Sequence, residues 1–119
     1  MRFVLGMLLS ALAVIAGTGV AQADPPPPGQ PYPSVTTWAD AEVRTCEALS
    51  CPVDHVIPAG VTTIGICWTR GQTVHDHGIY NNIWIMVSLM DGGRYLASAI
   101  YFKGDERANL PYANDCGPL

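Results

Sequence analysis

Two of the chain's three histidines flank an acid, and His75-Asp76-His77 is the stretch whose residue types could most directly do chemistry. Two imidazoles two residues apart fall on one side of an extended chain, where they could hold a divalent metal with Asp76 or His55 as a further ligand. Spacing fixes no third ligand, so the expectation is a solvated loop and no metal site. A hydrolytic triad would need a serine on a strained elbow, and Ser34, Ser50, Ser88 and Ser98 lie in no Gly-x-Ser-x-Gly context. The acids are scattered and read as surface, so no catalytic residue and no cofactor is expected. Aromatic residues offer a different chemistry. Trp84, Trp68, Tyr80 and Tyr95 could line a groove that stacks on sugar rings or receives a peptide, because rigid rings give large contact area at low entropic cost. The competing reading packs Trp84 as structure. Tyr32 and Trp38 stand too near a proline-rich stretch to be given a role.

The elements that must position these side chains are short and β-branched. Val61-Thr62-Thr63-Ile64-Gly65-Ile66-Cys67 and Ile83-Trp84-Ile85-Met86-Val87-Ser88-Leu89 read as two partner strands of a small sheet. Side chains alternate along a strand, so Ile83, Ile85, Val87 and Leu89 share one face, expected to be core, and Trp84, Met86 and Ser88 share the other. Val53–Ile57 is a further short strand, and Pro58-Ala59-Gly60 turns the chain into the strand from Val61. Residues 68–82 read as a long connection, the kind that in small domains is functional or mobile. Asp91-Gly92-Gly93 is a hairpin turn, and Arg94–Ser98 returns as the last strand. The polar tail from Lys103 has one apparent anchor, Cys116. Short strands at close spacing predict an all-β barrel or sandwich.

The N-terminus carries Arg2, an apolar run from Phe3 to Val20 and then Ala21-Gln22-Ala23, the parts of a secretory signal peptide over residues 1–23. A retained membrane anchor is the alternative, since the run is nearly long enough to span. The Ala-x-Ala site and the abrupt change at Asp24 favour cleavage, and a mature form with no membrane segment. Residues 24–37 hold six prolines and predict an extended tether, with a polyproline ligand for an aromatic groove as the sharper alternative. The folded domain is expected over residues 38–119. Cleavage removes one base and no acid from a chain with formal net charge −4. An acidic domain of this kind lacks the basic patch that nucleic acid requires and disfavours anionic membrane surfaces.

Four cysteines behind a signal peptide predict an oxidised framework, and four permit three pairings. Zinc is disfavoured, because only Cys46 and Cys51 lie close in sequence while Cys67 and Cys116 are isolated. In a chain-entropy account a Cys67–Cys116 bridge would contribute roughly 4 kcal/mol and a Cys46–Cys51 bridge roughly 2. With all four paired, no thiolate is left as a nucleophile.

Taken in order, Ala41-x-Val43-Arg44-x-Cys46, Cys51-Pro52-Val53, Ile57-Pro58-Ala59-Gly60-Val61, Cys67-Trp68-Thr69-x-Gly71-Gln72, Ile83-Trp84-x-x-Val87-Ser88 and Gly93-x-Tyr95-x-x-x-x-Ile100-Tyr101 resemble a bacterial SH3-like domain of the secreted actinobacterial type. The resemblance covers roughly residues 39–103, with Cys116 also fitting that subgroup, and departs from it where Glu42 replaces a common asparagine. It implies a half-open barrel of five to six short strands, stapled by Cys46–Cys51 and Cys67–Cys116. It also implies a non-catalytic binding module, used in several relatives to hold a cell-wall enzyme on peptidoglycan.

The expected function is therefore a secreted SH3-like module, monomeric and extracellular or wall-associated, binding peptidoglycan or a peptide. Two other classes compete with it. A small inhibitor or interaction protein would act on an extracellular protein through residues 68–82. An enzyme would need a pocket of convergent polar groups.

Overall fold

The computed structural model describes residues 32–118, so the signal-peptide reading and residues 24–31 of the expected tether lie outside the described residues. Seven strands run in the order β1 (Ser34–Thr36), β2 (Ala41–Arg44), β3 (Val53–Ile57), β4 (Thr62–Ile64), β5 (Cys67–Asp76), β6 (Ile79–Ser88) and β7 (Tyr95–Ser98), followed by a 3₁₀ turn at Ala99–Tyr101. The fold is all-β. Five strands form an antiparallel sheet in the order β3-β2-β7-β6-β5, and β1 pairs with β4 in a separate two-stranded ribbon.

Strand β6 organises the packing because both of its faces are covered. Ile83, Ile85 and Val87 join Val35, Val43, Ala97 and Leu110 in one core, as alternation predicts. Trp84 and Met86, on the opposite face, join Val74, Leu96 and Ile100 in a second. Leu89 departs from the expectation and is 53 % exposed, since β6 ends at Ser88 after a register shift between Met86 and Ser88.

The first apolar run does not pair with the second as a single strand. Residues 61–67 divide between β4 and the start of β5, and the break falls at Gly65 and Ile66. A Cβ on Gly65 would sit 2.7 Å from Val35 Cγ1, so only glycine lets the ribbon press this closely. There the Gly65 N–H donates to Pro33 O (2.8 Å) while the Ile66 N–H donates to Met86 O (2.8 Å), which hands the chain from the ribbon to the main sheet.

The expected 68–82 connection is instead most of a hairpin made by the two ten-residue strands β5 and β6. His77 (φ 54°) and Gly78 (φ 75°) supply the two positive φ values of a type I′ turn, whose twist matches that of the flanking strands. Polar residues in this segment mark solvent-facing arms rather than a loop. Register shifts between Arg70 and Val74, where the Gln72 N–H donates to Glu47 O at 3.0 Å. The Asp91-Gly92 turn follows the same chemistry, with φ 56° and 74° and a Gly93 N–H to Met90 O bond of 2.9 Å.

Order begins earlier than the proline content suggested, because Ser34–Thr36 is a strand within the expected tether. Val35 is buried, and the buried Thr37 hydroxyl donates to Pro58 O (2.7 Å) and accepts from the Val61 N–H (3.1 Å). An isolated bridge ties Thr37 to Phe102. The tail is likewise more than a polar strap, since Ala108 and Leu110 enter the first core. Cys46 pairs with Cys51 and Cys67 with Cys116, at Cα separations of 5.7 and 5.0 Å. The second bridge fixes the tail beside Trp68, whose N–H donates to Asn114 O (3.0 Å) and whose carbonyl accepts from Cys116 (2.9 Å). No helix among the described residues is long and apolar enough to cross a membrane.

Candidate functional site

The four aromatics expected to form a groove are not brought together. Trp84 is 1 % exposed and Trp68 3 %, and they belong to the cores on opposite faces of the sheet. Alternation forces this separation, since Trp68 pairs with Ile85 and Thr69 with Trp84. Tyr95 is half-buried against the first core. Only Tyr80, 71 % exposed on the hairpin, meets solvent broadly, and its ring stands edge-on to His75 with centroids 5.3 Å apart.

The exposed aromatic site lies elsewhere, around Trp38. Its backbone N–H donates to Tyr101 O (3.0 Å) and its indole N–H to Ile100 O (2.8 Å), so the ring is fixed at both ends while remaining 39 % exposed. The Ala99–Tyr101 turn presents those carbonyls, and the Ser98 hydroxyl caps it by accepting from the Ile100 N–H at 3.3 Å. His77, placed by the hairpin turn, meets the Trp38 ring edge-on at 5.0 Å and the Tyr101 ring at 6.2 Å.

Asp76 locks this cluster. One oxygen, Oδ2, accepts from the Tyr101 hydroxyl at 2.9 Å, and the other, Oδ1, accepts from the His77 backbone N–H at 2.9 Å. The Tyr101 hydrogen bond, with the His77 amide second, holds the Asp76 carboxyl below the usual carboxylate range. Burial, with the Asp76 hydrogen bond second, pushes the Tyr101 hydroxyl up to about 12. At neutral pH the pair is thus a fixed anion receiving a neutral donor.

Trp38 and His77 together separate two clefts. One, of about 650 Å³, has Trp38, Ile79 and Tyr80 on one part of its lining and the charged Lys103, Asp105 and Glu106 on another. The other, of about 450 Å³, is bounded by Asp40, Glu42, Val56, Asp76, His77 and Tyr101. An exposed ring beside a cleft of mixed apolar and charged lining can stack a ring or an alkyl chain while a polar group binds next to it.

The histidines do not form the metal site that their spacing allowed. His75 packs on Tyr80, His77 on Trp38, and His55 hydrogen-bonds Asp54 at 2.7 Å. Among the described residues no group of three or more His, Cys, Asp or Glu side chains is placed to hold a metal ion. Sequence reasoning missed Trp38 and Tyr101, which lie 39 and 24 residues from His77 and come together only through the β1 ribbon and the 3₁₀ turn. The signal available was the His75-Asp76-His77 stretch, which marks the hairpin tip but suggested a different chemistry.

Comparison with protein-family models, with curated proteins and with solved structures finds no match to this chain.

Proposed function

We propose that the chain is a secreted, non-catalytic binding module of the SH3-like type that engages cell-wall peptidoglycan through the Trp38 surface. The observation that carries this reading is the anchored, exposed Trp38 ring, flanked by His77 and by the clefts on either side. A ring held by two backbone hydrogen bonds loses little freedom when a sugar or peptide packs on it, which favours binding. The half-open barrel draws support from the meander β5-β6-β7 and from the Thr37–Phe102 bridge that ties the start of the domain to its later part. Two disulfides suit an oxidising, extracellular setting.

The test is co-sedimentation of the oxidised protein, exported under its own N-terminal segment, with purified peptidoglycan sacculi. The wild type and a Trp84→Phe core control should pellet, and a folded Trp38→Ala variant should stay in the supernatant. A folded wild type that never pellets overturns the reading. The alternative, an interaction protein working through residues 68–82, draws on the exposed Ile79 and Tyr80 on the hairpin. Stoichiometric binding to a secreted protein, without pelleting, would select it.

A further inference from the structure

The hairpin arm that carries His77 is not continuous with the sheet below it. Between the pairs Arg70–Ile83 and Val74–Asn81, β5 has three residues where β6 has one, so the ladder is interrupted at Gly71, Gln72 and Thr73. The loop closed by Cys46 and Cys51 takes over there. The Gln72 N–H donates to Glu47 O (3.0 Å), its side-chain oxygen accepts from the Leu49 N–H (2.7 Å), and its carbonyl accepts from the Trp84 indole (2.9 Å). A Cβ on Gly71 would collide with Glu47 O, so glycine lets the loop backbone lie directly on the strand. Arg44 holds the loop from its other side, donating to Leu49 O and Cys51 O at 3.0 Å each. Leu49 also shares a small cavity with Val74 and Trp84, where the arm enters the second core. Beyond the bulge the arm is held by the Asp76–Tyr101 hydrogen bond and by the Asn81 side chain on Glu106 O (2.8 Å), both at the surface, where single hydrogen bonds contribute little.

The two bridges rest on different surroundings. Cys67 and Cys116 pack against the second core, beside the backbone bonds that tie the tail to Trp68. Cys46 and Cys51 belong to neither core. We infer that the Cys46–Cys51 disulfide is a redox-sensitive clip on the Trp38 surface: a dithiol reduces it ahead of Cys67–Cys116, the loop leaves the β5 bulge, and His77 is no longer held against Trp38. In the exchange one thiolate of the dithiol attacks a sulfur of the bridge and expels the other as a thiolate, and the second thiol of the reagent then displaces the protein. The protein takes up two electrons and two protons as a pair of cysteine thiols, and the dithiol leaves as its disulfide. Val74, His75 and Asp76 lead from the bulge to the turn in a paired arm, so a change of twist at Gln72 is carried to His77. The consequence for binding rests on the reading of Trp38 as the wall-binding surface, whereas the clip itself is read without ligand.

The experiment treats the oxidised, ¹⁵N-labelled protein with graded dithiothreitol, mapping free thiols by alkylation and following the three indole N–H resonances. Cys46 and Cys51 should be alkylated first, and at that stage the Trp84 and Trp38 resonances should move while Trp68 stays. A Cys46→Ser/Cys51→Ser variant should show the same shifts without reductant and bind sacculi at least about fivefold more weakly than the oxidised wild type. Gly71→Ala, which drives Glu47 away with both bridges intact, should move the same two resonances and serves should the double variant fold poorly. Reduction of Cys67–Cys116 first, or a Trp38 resonance unmoved in these folded variants, overturns the clip. Equal pelleting of clipped and unclipped protein overturns its control of binding. The full set of shifts with no pelleting of the wild type overturns wall binding and leaves the clip standing.

Discussion

Trp84 and Trp38 make the same hydrogen bond in opposite surroundings. Each indole N–H donates to a backbone carbonyl, Gln72 O at 2.9 Å for Trp84 and Ile100 O at 2.8 Å for Trp38. Around Trp84 the second face of the sheet closes completely. Around Trp38 the ring keeps an open side because its neighbours are the hairpin turn and two clefts rather than another strand. Trp68 follows Trp84, with its N–H on Tyr112 O at 3.1 Å and with Arg70 and Arg107 near its ring. A satisfied indole is therefore compatible with either role, and what separates structure from binding is which elements cover the ring.

The largest expected effect breaks the comparison on its buried side. Trp84→Ala should cost about 3–5 kcal/mol in urea unfolding, by loss of burial and creation of a cavity. Trp38→Ala should cost about 1 kcal/mol, near the value of one hydrogen bond, and act mainly on binding. Equal costs would contradict the division of roles.

Removing the Cys67–Cys116 bridge as a double serine variant should cost about 4 kcal/mol, against about 2 for Cys46–Cys51, as read by denaturant midpoints. The longer bridge closes 49 residues of separation and the shorter one 5. Loss of the longer one should also loosen the tail that covers Trp68, raising hydrogen exchange at its indole while leaving Trp38 as it was.

Gly78→Ala places a side chain at φ 75° in the hairpin turn and should cost about 1–2 kcal/mol. Because the turn places His77 against Trp38, ligand affinity should fall with it, whereas a comparable strain at Gly92 (φ 74°) should reduce stability alone. Thermal unfolding paired with binding on both variants checks this.

The smallest effect is a pH dependence. Tyr101 has its titration raised to about 12 from an ordinary value of 10, so its neutral form is favoured in the folded chain. Its contribution is complete below pH 10 and is lost as pH rises through about 12. Tyr101→Phe should flatten that alkaline limb in a stability-against-pH profile. Asp76 acts in the opposite direction: its lowered titration gives stability above the ordinary carboxylate value, lost as pH falls through the folded one. Asp76→Asn should reduce that component of the acid limb.

The strands were legible in the sequence wherever alternation or a run of β-branched residues marked a buried face. Ile83, Ile85 and Val87 occupy the expected core face, and Asp91-Gly92 turns where its chemistry requires. Alternation could not reveal that the opposite face of β6 is also covered, because that depends on Ile100 and Leu96 arriving from later in the chain. The hairpin of β5 and β6 was obscured by polar residues on its exposed arms, and His-Gly is a weaker turn signal than Asp-Gly. Proline content concealed β1, although Val35 and Thr37 carry the apolar and hydroxyl groups that fix it. For the site, residue type pointed to tryptophan and tyrosine, but exposure is a tertiary property. The fold buries Trp84, as the competing reading had it, and leaves Trp38, to which the sequence assigned no role, at the surface.

The most direct measurement follows the three indole N–H resonances of ¹⁵N-labelled protein while a soluble peptidoglycan fragment is added. The account predicts that the Trp38 resonance shifts with saturation, while those of Trp68 and Trp84 stay in place. A shift confined to Trp68 or Trp84, or no movement at Trp38 while the fragment binds, would contradict it.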